Sequence, residues 1–365
     1  MVSVTSPRWR ATIAATLLLS IPGACSDQGA SASAPSASGS TVATSTAAPT
    51  PTGPPEITLA FAGDVHFEER TRALLSSPST AFGPVADVFK AADVAMVNLE
   101  SAVTDRGTPE PKTYHFRAPT TAYQAIAAAG IDVVTVANNH ALDYGRVGLQ
   151  DTLDSAAAAR MPVVGAGTDA SSAYAPWITT VKGVKIAFLG MSQIQELAST
   201  WVAKDNRAGI AMAYNTASNA RAVAAVKAAR AQADVVVVYL HWGQEYEQCP
   251  TAAMKSLARQ FSEAGATMIV GTHAHVLVGD GWLGKTFVTY GLSNFLWWYN
   301  DAGSNDTGVL RVTLSGSKIA KSEFIPAYIS RTTGQPIPST GDEAARISAK
   351  QAGLRACTGL AASLA

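Results

Sequence analysis

From residue 57 to about residue 295 the chain repeats one pattern, a short uninterrupted apolar run that ends at a polar residue. The runs are ITLAFAGD, VAMVNLE, DVVTVANNH, PVVGAG, VKIAFLGMS, DVVVVYLHWG, ATMIVGTHAH and TFVTYGLSNF. Strands of this kind are buried on both faces, so helices or a second sheet must cover each side. Helical segments separate several of them: FGPVADVFKAA, TTAYQAIAAAG, RVGLQDTLDSAAAARM, TASNARAVAAVKAARAQA and TAAMKSLARQFSEAG. That alternation predicts a layered α/β domain. Beyond about residue 285 strands follow one another directly, through GVLRVTLSG and SEFIPAYIS, which predicts antiparallel pairing in a mixed sheet or in two sheets packed together.

The polar residues fall at the carboxyl ends of the runs. Asp64 and His66 follow the first, Asn98 and Glu100 end the second, and Asn138, Asn139 and His140 end the third. His241 ends VVVVYLH, and His273 and His275 end MIVGTHAH. Open α/β sheets bind ligands just outside the carboxyl ends of their strands, so these residues are expected to converge. Of the 6 histidines in the chain, all but His115 belong to this set. Imidazoles grouped with carboxylates and an amide predict a metal site. In extended chain residues i and i+2 point the same way, which predicts that His273 and His275 face one pocket, as do Asp64 and His66.

The strings GDVH, ANNH, LH and GTHAH, in this order, resemble the metallophosphoesterase signature. More specifically, FAGDVHF, NLESAVTDRGTPEPKTYHFRAP, VVTVANNHALDYG, LHWGQEY, GTHAHVLVG and YGLSNF resemble the CapA family, associated with poly-γ-glutamate capsule synthesis, over about residues 57–300. The resemblance implies a four-layer α-β-β-α sandwich with mixed sheets and a dinuclear centre. One ion would take Asp64, His66, Glu100 and His275, and the other Glu100, Asn139, His241 and His273. Such donors accept Mn, Fe, Zn or Co. His140 would act as a general acid or stabilise charge, with Asp143 orienting it. His66 stands where the family commonly has Met, HAH where HPH is usual, and Glu100 where the superfamily has a bridging Asp.

Around this set, PKTYHFRAP offers Lys112, His115 and Arg117, of which Arg117 could clamp a phosphate or carboxylate or simply be solvated. WGQEY places Trp242 and Glu245 beside the site as substrate contacts, and Trp297 and Trp298 could line a groove or fill core. GDGWLGKT at 279–286 satisfies the phosphate-loop string, but a strand follows it where a helix is required, so it reads as a hairpin and ATP is not expected to bind.

Lys plus Arg and Asp plus Glu both number 27, so no field favours nucleic acid. Residues 1–25 read as a secretory signal with a cationic start (Arg8, Arg10), an apolar centre and a lipobox-like end at Cys25, the expected lipidation site. Ordinary cleavage nearby or an uncleaved anchor are the alternatives. Cleavage would leave 25 basic residues (27 minus 2) against 27 acidic ones, a net charge near −2. Residues 26–55 are a Ser/Ala/Thr/Pro tether, 56–340 the folded domain and 341–365 a helical tail. In an oxidising compartment Cys249 and Cys357 are expected to pair.

The expected protein is therefore extracytoplasmic and lipid-anchored to the cell membrane. By resemblance it would act in synthesis, export or anchoring of an anionic polymer, beside a membrane-bound polymer synthase and export subunits. A secreted phosphoesterase acting on phosphoester substrates unrelated to capsule, or a non-catalytic polyanion-binding scaffold, would carry the same motifs.

Overall fold

The main apolar runs become strands whose successive side chains enter two different cores. The computed structural model describes residues 53–364, so the leader, Cys25 and nearly all of the 26–55 tether lie outside the described residues. The first strands are β1 (Glu56–Val65), β2 (Val94–Leu99), β3 (Val133–Thr135), β4 (Val163–Val164), β5 (Trp177–Val181), β6 (Val184–Ser192) and β7 (Val235–His241). They are followed by β8 (Met268–Thr272), β9 (Leu277–Leu283), β10 (Thr286–Leu292), β11 (Asn294–Leu296), β12 (Asp306–Ser315), β13 (Lys318–Ile329) and β14 (Pro336–Pro338). The principal helices are α1 (Ala86–Lys90), α2 (Thr121–Ala128), α3 (Gly145–Ala158), α4 (Thr216–Arg230), α5 (Ala252–Glu263) and α6 (Gly341–Gly353).

One sheet runs β14-β13-β12-β1-β2-β3-β4, with β11 also paired to β1; the other runs β9-β10-β8-β7-β6-β5. Each has a parallel centre, β1-β2-β3-β4 in one and β6-β7-β8-β10 in the other. Each also has antiparallel additions, β12 and β13 in the first and β9 and β5 in the second. From β12 onward the strands pair antiparallel as expected, whereas β10 and β11, also beyond residue 285, pair parallel with β8 and β1; the sheets are mixed.

The layering follows from alternation along single strands. In β7, Val235, Val237 and Tyr239 point between the sheets, where they join Ile57, Leu59 and Phe61 of β1 and Met96 of β2. Val236, Val238 and Leu240 of the same strand point outward, onto Ala222 and Val226 of α4 and Leu257 and Phe261 of α5. Ala60 and Ala62 of β1 point the other way, into a core with Phe89 of α1, Tyr123 and Ile126 of α2 and Leu149 of α3. The result is a four-layer α-β-β-α sandwich. A hydrogen bond from the Tyr239 hydroxyl to the Ala62 carbonyl ties the two sheets across their shared core.

Capping residues set where the covering helices start. Asn215 accepts from the Ser218 amide at 2.9 Å at the head of α4, and Thr251 accepts from the Met254 amide at 3.2 Å at the head of α5. The string at 279–286 folds as the β9–β10 hairpin, with Leu283 paired to Thr286 and Gly284 in the left-handed region at φ 58°. The turn lies further along than Gly279 and Gly281, which sit within β9. A Cβ at Gly279 would come within 2.6 Å of Leu354 and Arg355 backbone, so the tail lies directly on this strand.

The tail belongs to the same compact unit, Gly53–Ala365. Ile347 of α6 is buried, and Arg346 and Lys350 hold Asp306 at 2.6 Å and 2.8 Å. Cys249 and Cys357 form a disulfide with Cα atoms 5.7 Å apart, which pins the loop after β7 to the chain end. Among the described residues no helix is long and apolar enough to cross a membrane.

Candidate metal centre

The parallel centres of both sheets end at one rim, and the polar residues of five strand ends meet there. Asp64 belongs to β1, Glu100 follows β2, Asn139 and His140 follow β3, His241 ends β7, and His273 and His275 follow β8. All are buried.

His241 Nε2 is the meeting point of one group. Asn139 Oδ1 lies 2.8 Å from it, His273 Nδ1 3.0 Å and Glu100 Oε1 3.4 Å. These are the four residues expected around one ion. The second group comprises Asp64, Glu100 and His275, whose donor atoms lie within 4.8 Å of one another; the same holds for Glu100, His241 and His273. Glu100 is common to both trios. Among the described residues neither of its carboxylate oxygens has a hydrogen-bond partner, although the residue is completely buried. An orphaned buried carboxylate among imidazoles is costly unless a cation sits between them. The donor set therefore fits divalent metal.

Electrostatics agree. Burial, with Glu100 nearby, pushes Asp64 up to about 7 against the opposing pull of His241 and hydrogen bonds from Asn98 and His273. Burial likewise holds Glu100 well above the usual carboxylate range. Burial lowers His241 and His275 to about 4 and drives His273 well below its ordinary value. Neutral imidazoles are the form that ligates metal, and a cation would favour ionised carboxylates.

Amides hold this cluster in place. Asn98 donates through Nδ2 to Asp64 Oδ1 at 2.8 Å and accepts through Oδ1 from Asn138 Nδ2 at 2.9 Å. Asn138 in turn accepts from the His140 amide at 2.9 Å. His140 Nδ1–H donates to Asp143 Oδ2 at 2.6 Å, which leaves Nε2 unprotonated and facing Glu100 Oε1 at 3.7 Å. Phe116 stacks on the imidazole with centroids 3.8 Å apart, and its amide donates to the same Asp143 oxygen at 2.6 Å. The His140 lone pair is at Nε2, and burial drives its pKa well below the ordinary value, so the imidazole rests neutral.

Several expectations are corrected. His66 joins neither trio. His66 lies just past the end of β1, and among the described residues its buried Nδ1 has no hydrogen-bond partner. His66 Nε2 instead accepts the Trp298 amide at 3.0 Å, and its ring lies on Trp297. His273 and His275 do converge, but not in extended chain: β8 ends at Thr272, and the two residues have φ of 90° and 56°. A left-handed turn, not strand alternation, aims both imidazoles inward.

Trp242 is no substrate contact. It is fully buried on the helix-covered side of the second sheet, where its Nε1 donates to the Tyr290 carbonyl at 2.9 Å. Lys112 is near the site but occupied, 3.0 Å from both Asp143 and Glu196. His115 Nε2 bonds the Glu110 carbonyl at 2.7 Å. Arg117 stacks on Tyr144 at 3.4 Å and donates to the Arg106 carbonyl, so no clamp faces the cluster. Of the expected substrate contacts only Glu245 lines an open cavity at the cluster.

Asn294 was not anticipated. Its Oδ1 lies 2.7 Å from His275 Nδ1 because the chain changes sheets at Ser293, φ 64°, splitting the apparent run TFVTYGLSNF into β10 and β11. Gly63 makes the crossing possible, since a Cβ there would come within 1.8 Å of the Ser293 carbonyl oxygen. A polar pair inside an apolar run was the only sequence signal. Glu196, which accepts from Asn139 Nδ2 at 3.3 Å, lies in a loop after β6 and gave none.

Residues 58–299 match the family model described as bacterial capsule synthesis protein PGA_cap. The PGA biosynthesis protein CapA of Bacillus subtilis is 30% identical over 287 residues, 77% of this chain and 74% of that one. The capsule biosynthesis protein CapA of Bacillus anthracis is 27% identical over 295 residues, 79% and 71% of the two chains. A probable polyglutamine synthesis accessory protein of Mycobacterium tuberculosis is 29% identical over 191 residues, 51% of this chain and 50% of that one. Among solved structures, a hypothetical protein from Thermus thermophilus superposes with a TM-score of 0.48 at 17% identity, covering 77% of this chain and 100% of that one. A phosphatase of Mycoplasma pneumoniae gives 0.48 at 16%, covering 75% and 94%.

Proposed function

The chain belongs to the bacterial capsule synthesis protein family PGA_cap, and from that premise we propose that it acts in the assembly of a surface polyanion such as poly-γ-glutamate, its donor cluster holding two metal ions that would support hydrolysis of an anionic substrate. Supporting this reading are the names of its Bacillus relatives, the donor trios and the orphaned Glu100 carboxylate. The N-terminal sequence supports an exported protein anchored by lipid at Cys25, with the tether holding the domain clear of the membrane and near polymer synthase and export subunits.

Asp64, Glu100 and His275 would hold one ion, and Glu100, Asn139, His241 and His273 the other. When bound, such a pair supplies Lewis acidity and positive charge opposite an anionic group. The protein's own contribution is positional. Asp143 and Phe116 fix the His140 ring so that its neutral Nε2 faces the cluster. Burial pushes Asp143 up to about 6, and Lys112, 3.0 Å away, opposes this and holds the carboxylate in place. The amide chain Asn138–Asn98–Asp64 holds the strand ends in register.

The observation that carries this reading is the position of Glu100, unpaired and shared by both trios. The test is elemental analysis of the purified protein, with turnover on a panel of aryl phosphates, phosphodiesters and γ-glutamyl oligomers. Two metal equivalents with turnover abolished by His273→Ala are expected. A protein that takes up no metal overturns the reading.

A further inference from the structure

Two cavities reach the donor cluster, and Glu245 lines both. One, of about 500 Å³, adjoins His273 and is lined by amides, among them Gln193, Gln195 and Gln244. The other, of about 230 Å³, adjoins His140 and His275 and is walled by Tyr114, Tyr246, Trp297, Trp298 and Tyr299. Its aromatic character is not a by-product of core packing. Among the described residues the large apolar side chains left exposed are Tyr114, Val147, Tyr246, Tyr299 and Leu364, and three of them rim this one cavity. Tyr114 is 63% exposed, Tyr246 53% and Tyr299 48%. Aromatic faces kept in water beside a reactive cluster mark a recognition surface.

The charge of the lining restricts what it takes. It contains Glu245 and no Lys or Arg. The neighbouring cation, Lys112, is held by Asp143 and Glu196. Away from the donor cluster itself, a run of carboxylates along this cavity would meet the Glu245 carboxylate and no Lys or Arg side chain, at a cost in repulsion and desolvation. A pyranose ring meets complementary groups throughout: its C–H bonds, partly positive, pack on the negative ring faces, and its hydroxyls donate to Glu245 and pair with tyrosine hydroxyls.

Resting on the metal-site reading above, we propose that the aromatic cavity is a saccharide subsite, which seats a pyranose of the substrate against Tyr246, Trp298 and Tyr299 while the anionic group lies at the donor cluster. The substrate of this site is then a sugar-bearing anionic compound, such as the junction between a polyanion and a glycan, rather than an unbranched run of γ-glutamyl units.

The purified protein is titrated with chitotetraose, cellotetraose and maltotetraose, with tetra-γ-glutamate and phenol as comparisons. Calorimetry and tryptophan fluorescence read the binding, with and without prior chelation. At least one saccharide is expected to bind, and Tyr246→Ala and Tyr299→Ala to weaken it by about tenfold, the loss expected for one stacked ring. Both side chains are exposed, so unchanged melting temperature and metal content show that the variants remain folded. No binding of any saccharide, equal binding by both variants, or displacement of the saccharide by tetra-γ-glutamate or phenol overturns the subsite. Metal uptake without saccharide binding overturns this inference alone. Saccharide binding to a protein that takes up no metal supports it and overturns the metal-site reading alone.

Discussion

His140 Nδ1 and Asp143 Oδ2 stand 2.6 Å apart, and the imidazole so held lies flat against Phe116. Because a carboxylate only accepts, the proton is fixed on Nδ1 and the lone pair on Nε2. Asn at position 143 can donate instead and reverse the tautomer. Asp143→Asn is expected to lower turnover on an aryl phosphate by about 10–100-fold, the usual scale for such supporting partners, with metal content unchanged. Steady-state kinetics with elemental analysis checks both.

Glu100→Gln separates metal binding from folding. The variant keeps the shape but loses the charge shared by both trios, so metal content is expected to fall to background. In chelator-treated samples the same change removes a buried carboxylate without partners, and the melting temperature is expected to rise, corresponding to about 1 kcal/mol. Thermal unfolding of both proteins with and without chelator gives the comparison. A metal-free variant less stable than its parent would refute the view that Glu100 is uncompensated.

The disulfide closes a segment spanning 108 residues and ties the loop bearing Glu245 and Tyr246 to the chain end. Cys249→Ser is expected to cost up to about 5 kcal/mol on the chain-entropy scale. Reducing agent should lower the melting temperature of the parent and leave the variant unmoved.

Asp306 anchors the terminal helix. Burial alone pushes its carboxyl up, but hydrogen bonds from Arg346 and Lys350 outweigh this and hold it below the ordinary 3.8. A folded-state value below the unfolded one contributes stability that is present above pH 3.8 and is lost as pH falls through the folded value. Asp306→Asn is therefore expected to cost about 1–2 kcal/mol near neutrality, discounted because Arg346 is largely in solvent, with the gap from the parent closing below the carboxylate range. Urea midpoints measured from pH 2 to 7 would show it.

Much of the fold was legible because strands buried on both faces announce themselves as unbroken apolar runs, and the covering helices fall between them. The strand-end residues Asp64, Glu100, Asn139, His241, His273 and His275 were legible for the same reason. What failed did so where the backbone leaves regular geometry. The i, i+2 rule put His66 among the donors, whereas the structure turns its Nε2 to the Trp298 amide, and it gave the right pocket for His273 and His275 by the wrong route, since both are left-handed. Trp242 follows His241 directly and so points to the opposite face of the sheet. Asn294 needed the change of sheet at Ser293, which no periodicity encodes. Arg117 and Lys112 were near in sequence to the right loop, but their partners Tyr144, Asp143 and Glu196 come from elsewhere in the chain.

The His273 amide donates to Asp64 Oδ2 at 3.1 Å across a sequence separation of 209 residues. No contiguous fragment shorter than residues 64–275 can own this cage. Cation uptake should accordingly behave as an all-or-none reporter of the finished tertiary structure: partial digests and nascent chains would be blind to metal, and loading would mark the moment at which both sheets have closed.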